Sequence, residues 1–138
     1  MNTGVQTGLR MTPETVQAWL DRLDRDAGPP RGLDVRLSPR FAYRSRGLML
    51  ELSETGSPAT RHEAAGRNLS REGLGVLASR FVYPRTPCRV TLLDRQAQPQ
   101  TVSGEVVRCR YVVGSGSLYD VGISLHRSLD VATFTAEE

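Results

Sequence analysis

From residue 48 onward the apolar residues recur at every second position in short runs, each cut off by residues that favour turns. A period of two is the repeat of an extended strand with one face buried, and no helix can present it. Leu48, Leu50 and Leu52 form the first such set, followed by His62–Leu69, Leu74–Ala78, Cys88–Leu93, Val102–Val113 and Leu118–Leu125. The connections Ser53–Thr60, Asp94–Pro99 and Gly114–Ser117 carry Gly, Pro, Ser, Asp and Thr, the residues of tight turns. Alternation is clearest in the last pair, with Val107, Cys109, Tyr111 and Val113 expected on one face of their strand and Tyr119, Val121, Ile123 and Leu125 on the next. Six short strands with turn chemistry between them predict an all-β fold, a small antiparallel barrel or sandwich. A chain of 138 residues supports one such core without a metal or disulfide.

The start of the chain follows a different rule. Thr12-Pro13-Glu14 combines a capping hydroxyl, a proline suited to the first helical position and an acid near the positive end of the helix dipole. Val16, Trp19, Leu20 and Leu23 then form one apolar stripe, and Gly28-Pro29-Pro30 stops it, which predicts a helix over 13–26. Residues 1–32 are therefore an appended helix and linker, and residues 33–138 the barrel domain. Ser128-Leu129-Asp130 is expected to cap a short C-terminal helix carrying Leu129, Ala132 and Phe134.

Between helix and first strand, Leu33, Val35, Leu37, Phe41 and Tyr43 alternate with polar residues, and Pro39 forbids a regular helix. In an extended chain Arg36, Arg40 and Arg44 then project from one side while the apolar set faces the protein. After Gly47 the parity flips, the mark of a bend or bulge.

Charge narrows the chemistry. The formal net charge is +3, and all 18 basic residues are arginine, since the sequence contains no lysine. Every cation is thus a planar fork suited to phosphate and to base edges, and neither a P-loop lysine nor a Schiff-base lysine exists. Cys88, Cys109, His62 and His126 show no metal-ligand spacing and no nucleophile–base pattern, so the cysteines are expected in the core and no enzyme, metal or cofactor is expected. No secretory leader or membrane-spanning run is evident, which predicts a cytoplasmic protein with reduced thiols and no membrane partner.

Two motifs stand out in order: Arg40-Phe41-Ala42-Tyr43-Arg44, an R-x-x-x-R, and Asn68-Leu69-Ser70-Arg71-Glu72-Gly73, an N-x-S-x-x-G. The pair resembles the PilZ domain, whose signature is R-x-x-x-R followed by [D/N]-x-S-x-x-G. The resemblance covers roughly residues 33–134, including Gly104–Tyr111 and Tyr119-Asp120-Val121-Gly122-Ile123. It implies a six-stranded antiparallel PilZ-type β-barrel that binds the bacterial second messenger cyclic di-GMP where the arginine segment meets one barrel face. By that similarity Arg40 and Arg44 bind phosphate or guanine, Asn68 reads a guanine edge, and Ser70 fixes the turn or contacts phosphate. Gly73 allows close backbone approach or takes a positive φ. Arg36–Arg40 is the alternative register, which leaves Arg36 in Arg40–Arg44 as an auxiliary cation, and Arg71 is either a further phosphate contact or half of a surface ion pair. Arg46 and Arg67 are similar candidates, read as surface charge ahead of ligand contact.

The segment from Gly28 to Arg46 carries five arginines and one acid. It is expected to repel itself until ligand phosphates neutralise it, so that binding moves it, and with it the helix, relative to the barrel. A protein partner is expected to receive the signal. Two rivals remain: a PilZ-like adaptor that has lost nucleotide binding, and a basic barrel for RNA or single-stranded DNA. Aromatic content of only 6% weighs against the second.

Overall fold

The computed structural model of the chain describes residues 6–7, 13–27, 41–43, 48–54 and 56–134. In chain order the elements are β1 (Gln6–Thr7), α1 (Pro13–Ala27), β2 (Phe41–Ala42), β3 (Leu48–Leu52), β4 (Thr60–Leu69), β5 (Gly73–Ala78), β6 (Pro87–Leu93), β7 (Pro99–Tyr111), β8 (Tyr119–Leu125) and a one-turn 3₁₀ helix, Val131–Thr133. Six strands close into an antiparallel barrel in the order β4-β3-β6-β7-β8-β5, and β5 pairs back onto β4. The barrel, the helix and the short C-terminal turn follow the sequence expectation. No described helix is long and apolar enough to cross a membrane.

Strand β4 organises the closure because it is paired along both edges. One edge takes β2 and then β3, and the other takes β1, in parallel, and β5. The register with β5 shifts between Gly66 and Asn68, so Arg67 is an inserted residue, a β-bulge. Gly66 is required here. A Cβ on it would lie 2.6 Å from the Tyr43 carbonyl oxygen and 2.7 Å from the Tyr43 ring. Tyr43 uses that opening to reach the core, where its hydroxyl donates to the Leu93 carbonyl at 2.7 Å and its ring meets Phe134 edge-on at 6.3 Å.

The barrel interior holds Leu48, Leu50 and Leu52 of β3 with Leu74, Val76, Val90, Leu92, Val102, Val106, Val121 and Ile123, the alternating set that the period of two selects. A second cluster lies outside. Val16 and Leu20 of α1 cover Ala65, Leu77, Val112 and Leu118, with Trp19 and Leu23 at its margin. Leu77 alternates with the interior residues of β5, and so β5 is buried on both faces. Trp19 acts as a packing residue here, and the Arg22 guanidinium sits 5.0 Å from its ring. At the C-terminus Asp130 caps the 3₁₀ turn, accepting from the Ala132 N–H at 3.2 Å. Leu129 and Phe134 are buried, but Ala132, expected on the packed side, is exposed.

Strand β7 departs from the expected alternation. Its register with β8 shifts between Val106 and Arg108, a second bulge that inserts Val107. Val106 is fully buried, whereas Val107, Tyr111 and Val113 are 54%, 47% and 80% exposed. Of the face expected to hold Val107, Cys109, Tyr111 and Val113, Cys109 and Tyr111 do share a side, opposite Val121 and Tyr119; Val107 is corrected, because the extra residue changes the parity, and Val113 lies in the following turn. Tyr111 instead joins Tyr119, Phe81 and Tyr83 in a chain of edge-to-face rings with centroids 5.6, 6.0 and 4.9 Å apart. Beneath this chain Val82 is buried, donating its N–H to Cys109 Sγ at 3.4 Å. Cys88 is buried in the core, which pushes its thiol up to about 12. Both cysteines are free thiols.

His62 is buried in β4, its Nε2 2.7 Å from Thr60 Oγ1. Burial holds its pKa below the usual 6.5; the Arg80 charge acts in the same direction and Glu54 opposes it. The folded protein therefore binds this proton less readily than the unfolded chain. The contribution of neutral His62 is intact above pH 6.5 and is lost as pH falls from there through the lowered folded value. Urea midpoints taken on either side of pH 6.5 should show an acid-side loss that is smaller in His62→Gln. The bulge in β7 has its own check in urea titrations. Val106→Ala should cost about 2 kcal/mol and Val107→Ala less than about 0.5 kcal/mol; equal costs would refute the assigned parity.

Candidate functional site

The N-x-S-x-x-G motif forms the end of β4, a tight turn and the start of β5. Ser70 is buried and closes the turn: its Oγ accepts from Gly73 N–H at 3.0 Å and Glu72 N–H at 3.3 Å, and its own N–H donates to the Gly73 carbonyl at 2.9 Å. The C-terminal segment straps the turn from outside, since Leu125 N–H donates to the Glu72 carbonyl and Leu129 N–H to the Arg71 carbonyl, both at 2.8 Å. Arg71 stands exposed at the tip. Gly73 lies in the β5 ladder opposite Ser124, and positive φ among the described glycines occurs at Gly56, Gly114 and Gly116. Of the two roles expected of Gly73, close backbone approach or a positive φ, the second is corrected: Gly73 is extended in the ladder, and Ser70 supplies the turn.

Strand β2 brings the first motif to the second. Phe41 pairs with Leu69 and Ala42 with Asn68, and Tyr43 N–H donates to the Arg67 carbonyl at 3.1 Å. The backbone between Arg40 and Arg44 therefore runs beside Asn68. Arg36, Arg40 and Arg44 themselves, and Arg46, lie outside the described residues.

On the outer barrel face the register sets four residues in one row across four strands: Asn68 of β4, Gly75 of β5, Gly122 of β8 and Arg108 of β7. The two glycines alternate with interior residues, so both face outward and leave a floor without side chains. The outer residues fold over it. A Cβ on Gly75 would lie 2.6 Å from Asn68 Oδ1, and one on Gly122 would lie 3.3 Å from both Cζ and Nη2 of Arg108.

The bulged residue Arg67 supplies the next part. Its Nη1 meets Asp120 Oδ2 at 2.9 Å, with both side chains only 11% exposed, and its Nη2 donates to the Leu23 carbonyl in α1 at 3.4 Å. Arg108 Nη2 approaches the other oxygen of Asp120 at 3.7 Å. Arg67 is thereby corrected from surface charge to a buried ion pair, because the bulge turns its side chain onto the barrel face. One carboxylate thus faces two guanidinium groups beside Asn68.

No family model, curated protein or solved structure matches this chain. What the site can do rests on its own chemistry. Asn68 presents an amide, Arg108 a fork of donors, and the floor beneath them is flat backbone, an arrangement suited to a planar polar ring or an anion. Arg67, Arg108 and Asp120 escaped the motif reading because they come from three strands and only the register joins them. The available signal was Gly75 and Gly122 inside strand patterns, where a missing side chain marks close approach by another group.

Asp120→Asn keeps the shape and removes the charge that both guanidinium groups face. Leaving buried Arg67 without its counter-charge should cost about 3 kcal/mol in urea unfolding. A cost below about 0.5 kcal/mol, the level of a surface substitution, would show that the pair is screened like an exposed one.

Proposed function

We propose that this protein is a PilZ-type receptor for cyclic di-GMP that works by binding, with no chemistry on the ligand. The observation that carries the reading is the pairing of Ala42 with Asn68, which joins the R-x-x-x-R segment to the N-x-S-x-x-G element in one sheet. The closed six-stranded barrel supports it, since that is the fold the resemblance implies. Strand β2 falls inside the Arg40–Arg44 interval rather than Arg36–Arg40, and so favours the first register. In this reading Arg40 and Arg44 take phosphate and guanine, Asn68 takes a base edge, and Ser70 with Gly73 holds the turn rigid beneath them. Arg36 and Arg71 add outer cations.

The output follows from charge. Ligand phosphates neutralise the arginine segment and draw it onto the face that carries Asn68. Arg67 links that face to the C-terminal half of α1 through the Leu23 carbonyl, which gives the helix a share in the response. A partner protein then reads the changed surface.

One observation favours the adaptor reading in addition. Phe81, Tyr83, Tyr111 and Val113 are exposed at the barrel end opposite the Ser70 turn. Exposed apolar side chains gathered in one place are the mark of a surface that meets a partner.

Isothermal titration with cyclic di-GMP separates the two. The receptor reading expects saturable heat that falls at least about tenfold in affinity in Arg40→Ala and Asn68→Ala, the loss of a charged or bidentate contact. Hydrogen exchange over residues 30–46 should slow in the same titration. Absence of heat from folded protein would leave the adaptor.

A further inference from the structure

We infer that Arg108, a residue outside both motifs, decides which base the site accepts and makes it select guanine over adenine. The inference rests on the nucleotide-receptor reading of this same face and adds the residue that sets its specificity.

Its position comes from the register. Gly75 and Gly122 are directly paired, and each is overlain by a side chain from its outer neighbour. Asn68 reaches in from β4 and Arg108 from β7, so the amide and the guanidinium lie over two adjacent glycines of the same face. The Arg108 guanidinium is held in place from two sides. Gly122 lets it lie against the backbone, within 3.3 Å of where a side chain would begin, and Asp120 draws Nη2 to 3.7 Å. Asp120 is itself fixed by Arg67. Arg108 remains 29% exposed at its side chain, open to a ligand above the floor.

The chemistry then separates the two purines. Asn68 alone is a poor judge, because its amide carries both a donor and an acceptor and turning it over exchanges them. It pairs with adenine N6 and N7 as readily as with a guanine edge. A guanidinium has donors only. Guanine offers it two acceptors, O6 and N7, whereas adenine replaces O6 with an amino donor and meets the fork with like polarity. A donor-only group fixed beside an ambiguous amide supplies the discrimination that the amide lacks.

The test is titration of the full chain with cyclic di-GMP and cyclic di-AMP, in the wild type, Arg108→Lys and Gly122→Ala. Arg108→Lys keeps the charge and loses the fork. Gly122→Ala keeps the arginine and displaces its guanidinium, so it tests the same geometry if the first variant folds poorly. Both should lose preference for the guanine dinucleotide by roughly 5- to 150-fold, the discrimination of one bidentate contact. Wild-type preference in both variants would overturn the inference and leave the receptor reading standing. A loss of cyclic di-GMP affinity with the preference unchanged would also overturn it, because Arg108 would then act only through charge or folding. If the wild type binds neither nucleotide, the receptor reading and the inference fall together.

Discussion

Strand β4 carries a constraint on which most of the molecule depends: it must satisfy partners along both edges while gaining one residue midway. The insertion at Arg67 bends the strand where β3 gives way to β2 on one edge and β5 begins on the other. Gly66 beside it leaves room for Tyr43 to cross into the core. The same insertion turns Arg67 onto the outer face, where it finds Asp120 and α1. The pairing of β2, the passage of Tyr43 into the core and the buried ion pair thus meet at one local irregularity.

The helix and all six barrel strands were legible because each rests on a local pattern. Leu48, Leu50 and Leu52 form an unbroken alternation, and they are fully buried. Ser70 and Gly73 announced their turn because the bonds involved span three residues or fewer. The failures fall where counting by two breaks down. At Val107 an inserted residue changed the parity, and at Arg67 another gave a supposed surface charge a buried partner. Asp120 and Arg108 were invisible for a different reason: each is an ordinary strand residue until the pairing of β7 with β8 and β8 with β5 sets them beside Asn68. Alternation identifies strands well but carries no information on register, and the site is a product of register.

The arrangement on the outer face also explains a use for an arginine-only cation set. Arg67 divides its fork between a carboxylate and a helix carbonyl, and Arg108 lies flat enough to pass over a glycine while reaching the same carboxylate. A lysine carries its three donors on a single nitrogen at the end of a flexible stem and lacks the rigid, flat fork that these contacts use. The two buried-side contacts of Arg67 hold the barrel face and α1 in a fixed relation. They do so through hydrogen-bond geometry, which is directional, as well as through apolar packing, which is not.

Closure of the barrel has a consequence for how this protein can be recognised. Each of the six strands has neighbours on both sides, so most backbone donors and acceptors of the barrel are already spent, and the longest open edge is on β7, which pairs with β6 only as far as Glu105. An incoming chain finds only short lengths of edge to pair with. Elsewhere on the barrel wall an associating molecule must grip side chains, and exchanging a few outward residues can redirect such associations without touching the scaffold.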